Sequence, residues 1–210
     1  MVDFYSALAL VVGLGFVTAF ASSHALRHLD RHKELFFNIQ LVLMLVLGLQ
    51  LFLEGFKGSS NSLLALAFGA LAGFTVNRVL AKLGRSRSVS ERLQRIAVLS
   101  LLFVEVVMGL ALGSAFSAGP TYAYGLTITA LVGALAIPRN ALLALSFSGR
   151  EEGDLFRASF YGAVFLALAS SVSFNLLGLS SPSVVGAVLA FSSGAVLWLA
   201  HQEYSAFRTK

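Results

Sequence analysis

IAVLSLLFVEVVMGLALGSAF, residues 96–116, and YGLTITALVGALAIPRNALLALSF, residues 124–147, are two apolar stretches that each carry one ionisable side chain well inside, Glu105 in the first and Arg139 in the second. A helix crosses the hydrocarbon core of a bilayer in roughly 20 residues, and both stretches reach that length. A charge near the middle of such a helix costs about 2.5–3.5 kcal/mol on insertion scales, so it is normally turned toward protein and paired. Glu105 and Arg139 are the natural partners.

The rest of the chain is of the same kind. Its 210 residues are 57% hydrophobic and 12% charged, with a mean hydropathy of +0.83, which is more apolar surface than one soluble core can bury. Apolar runs long enough to cross recur near Phe4–Ser23, Leu35–Gly55, Ser62–Leu83, Ile96–Phe116, Tyr122–Phe147, Leu155–Leu177 and Ser183–His201. The expected fold is all-α, a polytopic integral membrane helical bundle of seven transmembrane helices forming a single domain over residues 1–210. The first run follows Asp3 with no Lys or Arg ahead of it, which is the wrong beginning for a secretory signal, so it is read as a span.

Orientation follows from the basic residues. The first, third and fifth loops and the tail hold Arg27, Arg31, Lys33, Arg78, Lys82, Arg85, Arg87, Arg92, Arg95, Arg150, Arg157, Arg208 and Lys210 of the 15 Lys and Arg in the chain. Positive charge gathers on the cytoplasmic side of membrane proteins, so the N-terminus is expected outside, the C-terminus in the cytoplasm, and the chain in the cell membrane. The formal charge of +5 is therefore a topology signal, not a nucleic-acid one. The lipid bilayer is the partner that composition dictates, with other membrane subunits or a second copy of the chain as further candidates. The absence of cysteine excludes disulfides, thiolate metal sites and thiol nucleophiles.

Most loops are short, so neighbouring helices should pack together. The third, near Gly84–Arg95, reads GRSRSVSER and is expected to be a mobile connection without a core. Small residues four apart, Gly69 with Gly73 and Gly109 with Gly113, allow close helix approach and leave dimerisation open. Pro138 is expected to break or bend the fifth span. A broken helix there would suit a binding site; a bend would need no function.

Glu105 and Arg139 lie eight or nine residues from the cytoplasmic ends of their spans, which at about 1.5 Å per residue puts both near the same depth. They suit a proton or ion relay or a plugged substrate site, and equally a salt bridge that sets the register of two helices. His24, His28 and His32 recur at spacing four, so one helix would line up three imidazoles as a metal site; the interleaved Arg27, Arg31 and Lys33 oppose a cation there. Glu54, His201 and Glu203 end their segments near the interface. Gln40, Gln50, Asn77, Asn140 and Asn175 are amides suited to interhelical hydrogen bonds. No lysine falls in the last segment to form a retinal Schiff base, and no phosphate-binding glycine loop, metalloprotease His pair or haem-bearing arrangement is legible. No enzyme active site is expected.

VEVVMGLALGSAF, Val104–Phe116, resembles the fourth-helix segment of the ZIP (Zrt/Irt-like) divalent-metal transporters, and LAIPRNALLALSFSGREEG, Leu135–Gly153, resembles their fifth. LLALAFGALAGFTVNRVLAKLG is similar to the third helix and VVGAVLAFSSGAVLWLAHQEY to the seventh. The resemblance implies a bundle whose fourth and fifth helices line a midplane site for a divalent metal such as zinc; no resident cofactor is expected. Carried over position by position, the fourth-helix ligands fall on Val104, Glu105 and Met108. Those of the fifth fall on Leu135 and Arg139, with Pro138 kept and Asn140 where a glycine belongs. The family's eighth helix has no expected counterpart. The function this implies is a ZIP-like protein with its metal site replaced, acting as a non-transporting structural or accessory subunit of a membrane complex. The alternative is an active transporter of a divalent metal or another small solute.

Overall fold

A computed structural model describes residues 3–83, 89–118, 123–147 and 152–208. The described residues form helices α1 (Phe4–His24), α2 (Leu26–Arg31), α3 (Lys33–Gly58), α4 (Ser62–Leu83), α5 (Val89–Ser117), α6 (Ala123–Ser146), α7 (Glu152–Leu177) and α8 (Pro182–Arg208), and no strand. Among them, five segments are long and apolar enough to cross a membrane: Phe4–His24, Lys33–Gly58, Ala123–Ser146, Leu155–Leu177 and Pro182–Ser205. Two further apolar helical stretches, Ser62–Val76 and Leu101–Ser117, are shorter.

The outside of the bundle is apolar. Leu10, Val17 and Phe20 on α1, Leu64, Phe68 and Leu71 on α4, and Leu168, Val172 and Leu176 on α7 are each more than half exposed. A continuous surface of this kind is compatible with an integral membrane protein, whose outer face meets lipid. The hydrophobic windows of α6 and α8 are 61% buried against 28% for those of α1 and α7, so α6 and α8 form the centre.

Asp3 starts α1 as its N-cap, accepting the Ser6 backbone N–H at 2.7 Å; that hydrogen bond holds the Asp3 carboxyl below its usual range. α8 packs against both α3 and α4, α5 lies along α7, and α1 along α6. Lipid tails are as apolar as leucine, so these contacts depend on close fit and interhelical hydrogen bonds. Small residues provide the fit. A Cβ added to Gly69 would collide with the Phe191 carbonyl on α8, and one on Gly194 with the Leu66 carbonyl on α4. A Cβ added to Gly186 would likewise stand only 2.9 Å from the Gly58 Cα of α3. Buried hydroxyls add hydrogen bonds, Ser193 donating to the Gly48 carbonyl at 2.7 Å and Ser114 facing Ser173 at 3.0 Å.

Several expectations change here. The glycines spaced by four do permit close approach, but within the chain: Gly69 and Gly73 meet Phe191 and Trp198 of α8, and Gly109 and Gly113 meet Leu166 and Ser170 of α7. Those faces are already occupied, so they are not dimerisation faces. Helix α5 begins at Val89, so the part of the Gly84–Arg95 stretch from Val89 onward is helix and not loop; residues 84–88 lie outside the described residues. Pro138 does not break α6, which runs unbroken from Ala123 to Ser146 around it. Its fixed φ suits a helix, and the loss is one N–H to the Ala134 carbonyl.

Packing this close gives an asymmetric expectation for two glycines. Gly69→Leu should destabilise the detergent-solubilised chain by about 1–3 kcal/mol or more through overpacking. Gly13→Ala, with nothing within 4 Å of the added methyl, should leave stability unchanged or raise it by about 0.5–1 kcal/mol. Thermal melts of the two variants check the contrast.

Candidate functional site

Helix α5 carries Glu105 inward, and α6 carries Arg139 toward it. The two meet: Arg139 Nη2 lies 2.7 Å from Glu105 Oε1, with the side chains 14% and 5% exposed. Helix α5 begins at Val89, much further from Glu105 than the Ser146 end of α6 is from Arg139, so the contact comes from the packing of α5 on α6 and not from equal distance to the helix ends. A second ion pair, Lys57 with Glu54 at 2.7 Å, is on the surface and three residues apart on α3.

Three other helices complete the surroundings. Gly162 of α7 makes room for the carboxylate, since an added Cβ would stand 3.3 Å from both Glu105 Cγ and Oε1. Ser159, one turn earlier on α7, is buried and lines the same cavity as Val11, Gly15, Glu105, Arg139 and Asn140. Asn140 points to α1, where its Nδ2 donates to the Gly15 carbonyl at 2.9 Å and to Thr18 Oγ1 at 2.7 Å. Thr18 in turn donates to the Leu14 carbonyl at 2.8 Å, so the amide binds α6 to α1 through a short polar chain. On the far side, Arg139 is within electrostatic reach of Glu203 on α8, whose Oε2 accepts from Gln40 Nε2 of α3 at 2.7 Å.

The remaining candidate positions separate into two groups. Met108, Val104 and Leu135 are buried in the apolar core and offer no hard donor. His24, His28 and His32 do not share one helix face. Helix α1 ends at His24, Ala25 is non-helical, and His32 lies between α2 and α3; all three are exposed. His24 Nδ1 sits 3.0 Å from its own helix's Phe20 carbonyl. Among the described residues, no three His, Asp or Glu side chains come together in a way that could hold a metal ion. The expected alignment of the three imidazoles on one helix is therefore corrected: spacing four aligns side chains only on a continuous helix, and the helix stops after the first of them.

Gln40 makes the interhelical hydrogen bond expected of it, and its acceptor is Glu203, which is more than an interfacial polar residue because α8 continues past His201 to Arg208 and keeps it against α3. Asn175 bonds within its own helix, to the Ser171 carbonyl at 2.8 Å. The Asn77 side chain lies outside the described residues. Ser159 and Gly162 carry no signal in the sequence that marks them as neighbours of Glu105. Only the packing of α7 on α5 does that.

No family model matches the chain, and no curated protein matches it. The chemistry of the site therefore rests on its own geometry. A guanidinium and a carboxylate in contact at this burial form a charge-assisted hydrogen bond in a medium where either charge alone is poorly tolerated. Its chemical effect is to neutralise both groups and hold α5 to α6.

Removing one member should be worse than removing both. Arg139→Leu alone is expected to destabilise by about 3–5 kcal/mol by leaving Glu105 buried and unpaired, and Glu105→Gln with Arg139→Leu should recover much of that. Equilibrium unfolding of the wild type, both single variants and the double variant measures the coupling; additive losses would mean that the two side chains do not interact.

Proposed function

We propose that this chain is a seven-span, ZIP-like integral membrane protein in which the Arg139 guanidinium takes the position of a transported metal. In this reading it serves as a non-transporting structural or accessory subunit of a membrane complex. The single observation that supports it is the 2.7 Å contact of Arg139 with Glu105 between α5 and α6. Of the positions where the resemblance places ligands, Glu105 is the one that offers a carboxylate, and it is occupied by a permanent cation of the same chain. Zn²⁺ needs several nitrogen or oxygen donors at about 2.0–2.2 Å; Val104, Met108 and Leu135 supply none, and a thioether favours softer ions. Helices α4 and α5 join the five longer spans in this topology, with the N-terminus outside, the C-terminus in the cytoplasm and the cell membrane as location.

The second reading is an active transporter of a divalent metal or small solute. It draws on the cavity beside Glu105 and Asn140, but at about 20 Å³ that cavity has no room for a hydrated ion.

Two measurements test this. Proteoliposomes carrying the chain should take up Zn²⁺ no faster than empty vesicles, while native purification returns a complex larger than the chain; uptake above empty vesicles that collapses in Glu105→Ala would establish the transporter instead. Because the chain has no cysteine, single introduced thiols report sidedness cleanly. Asn61→Cys should react with an impermeant reagent from outside the cell and Asp30→Cys only after the membrane is opened; the reverse pattern would overturn the topology.

A further inference from the structure

The ion pair uses only part of the hydrogen-bonding capacity gathered around it. Arg139 binds Glu105 through Nη2 and Oε1. The other carboxylate oxygen, Glu105 Oε2, and the other guanidinium nitrogens, Arg139 Nε and Nη1, are buried with no hydrogen-bond partner among the described residues. So is the hydroxyl of Ser159. An unsatisfied buried polar atom is costly, more so when charged, and four such atoms on residues that line one cavity rarely persist without a shared partner.

All three residues line one cavity, between α1, α5, α6 and α7, of about 20 Å³. A single water needs about 10–15 Å³ on the same measure and two to four polar partners. The space is sufficient for one.

The chemistry of the lining decides what fits. A cation placed there would face the guanidinium, and an anion would face the Glu105 carboxylate. The unpartnered atoms include an acceptor that needs a donor and guanidinium donors that need an acceptor, while a hydroxyl can do either. Only a small neutral molecule that both donates and accepts satisfies them together. We propose that this cavity is a binding site for one ordered water, which donates to Glu105 Oε2, accepts from the Arg139 guanidinium and exchanges a hydrogen bond with Ser159 Oγ. The water converts a contact through one oxygen and one nitrogen into a closed three-residue network, and it makes α7 a partner of the α5–α6 pair. Gly162 keeps the carboxylate beside α7, and Ser159 supplies the hydroxyl. This assignment does not depend on whether the chain transports.

The test is a structure of the full chain in lipid nanodiscs at a resolution that shows ordered water. One density peak is expected within about 2.5–3.2 Å of both Glu105 Oε2 and Ser159 Oγ. Ser159→Val should fill the cavity, remove that peak and leave the Arg139–Glu105 contact in place. In parallel, an O–H stretching band that shifts in H₂¹⁸O should be present in the wild type and lost in Ser159→Val. A cavity without density, a direct hydrogen bond from Ser159 to Glu105, a peak with the anomalous signal of an ion, or an isotope-sensitive band unchanged by Ser159→Val would each overturn the assignment. If Ser159→Val does not fold, the density of the unaltered chain decides alone.

Discussion

A guanidinium and a carboxylate cannot stay charged in the interior of an apolar bundle unless they touch, and this requirement governs the middle of the molecule. It fixes how far α5 may slide along α6, because a shift of one turn, about 5.4 Å, would separate the pair and strand both charges. Purely apolar helices in lipid have no such fixed register, since one leucine contact is much like the next. Contact at 2.7 Å therefore acts as a pin in a structure otherwise held by shape.

Shape is supplied by small residues. Glycines on α3, α4 and α8 let backbones approach until carbonyls lie where a Cβ would stand, and hydroxyls such as Ser193 reach a neighbouring backbone carbonyl across the gap. Close approach also puts polar atoms within reach of each other without water. The same economy operates around Arg139: Gly162 gives the carboxylate its space, and Asn140, the next residue on α6, carries the connection on to α1. The pair and Asn140 are thus adjacent polar links, one joining α5 to α6 and the other α6 to α1. On the other side, Gln40 and Glu203 join α3 to α8.

Helical content and the apolar exterior were legible in the sequence because both follow from composition and run length, which need no knowledge of neighbours. Glu105 and Arg139 were legible as a candidate pair because each is the one ionisable side chain inside its apolar stretch, although the helix ends used to count their depth were not those of α5, which begins at Val89. Features that depend on which helices touch were not. Ser159 and Gly162 look like ordinary small residues of α7 until α7 lies on α5. Spacing of glycines indicated close approach without saying to what, and the partner proved to be the same chain. The histidines illustrate a different limit: a period of four has meaning only where the helix continues, and Ala25 interrupts it. Pro138 had a similar ambiguity, resolved by an α6 that runs through it.

The most direct measurement is diffraction at the zinc absorption edge from the full chain prepared in saturating zinc. No anomalous peak is expected between α5 and α6, and guanidinium density should contact the Glu105 carboxylate. A peak about 2.0–2.2 Å from a Glu105 oxygen, with Arg139 turned away, would contradict that expectation.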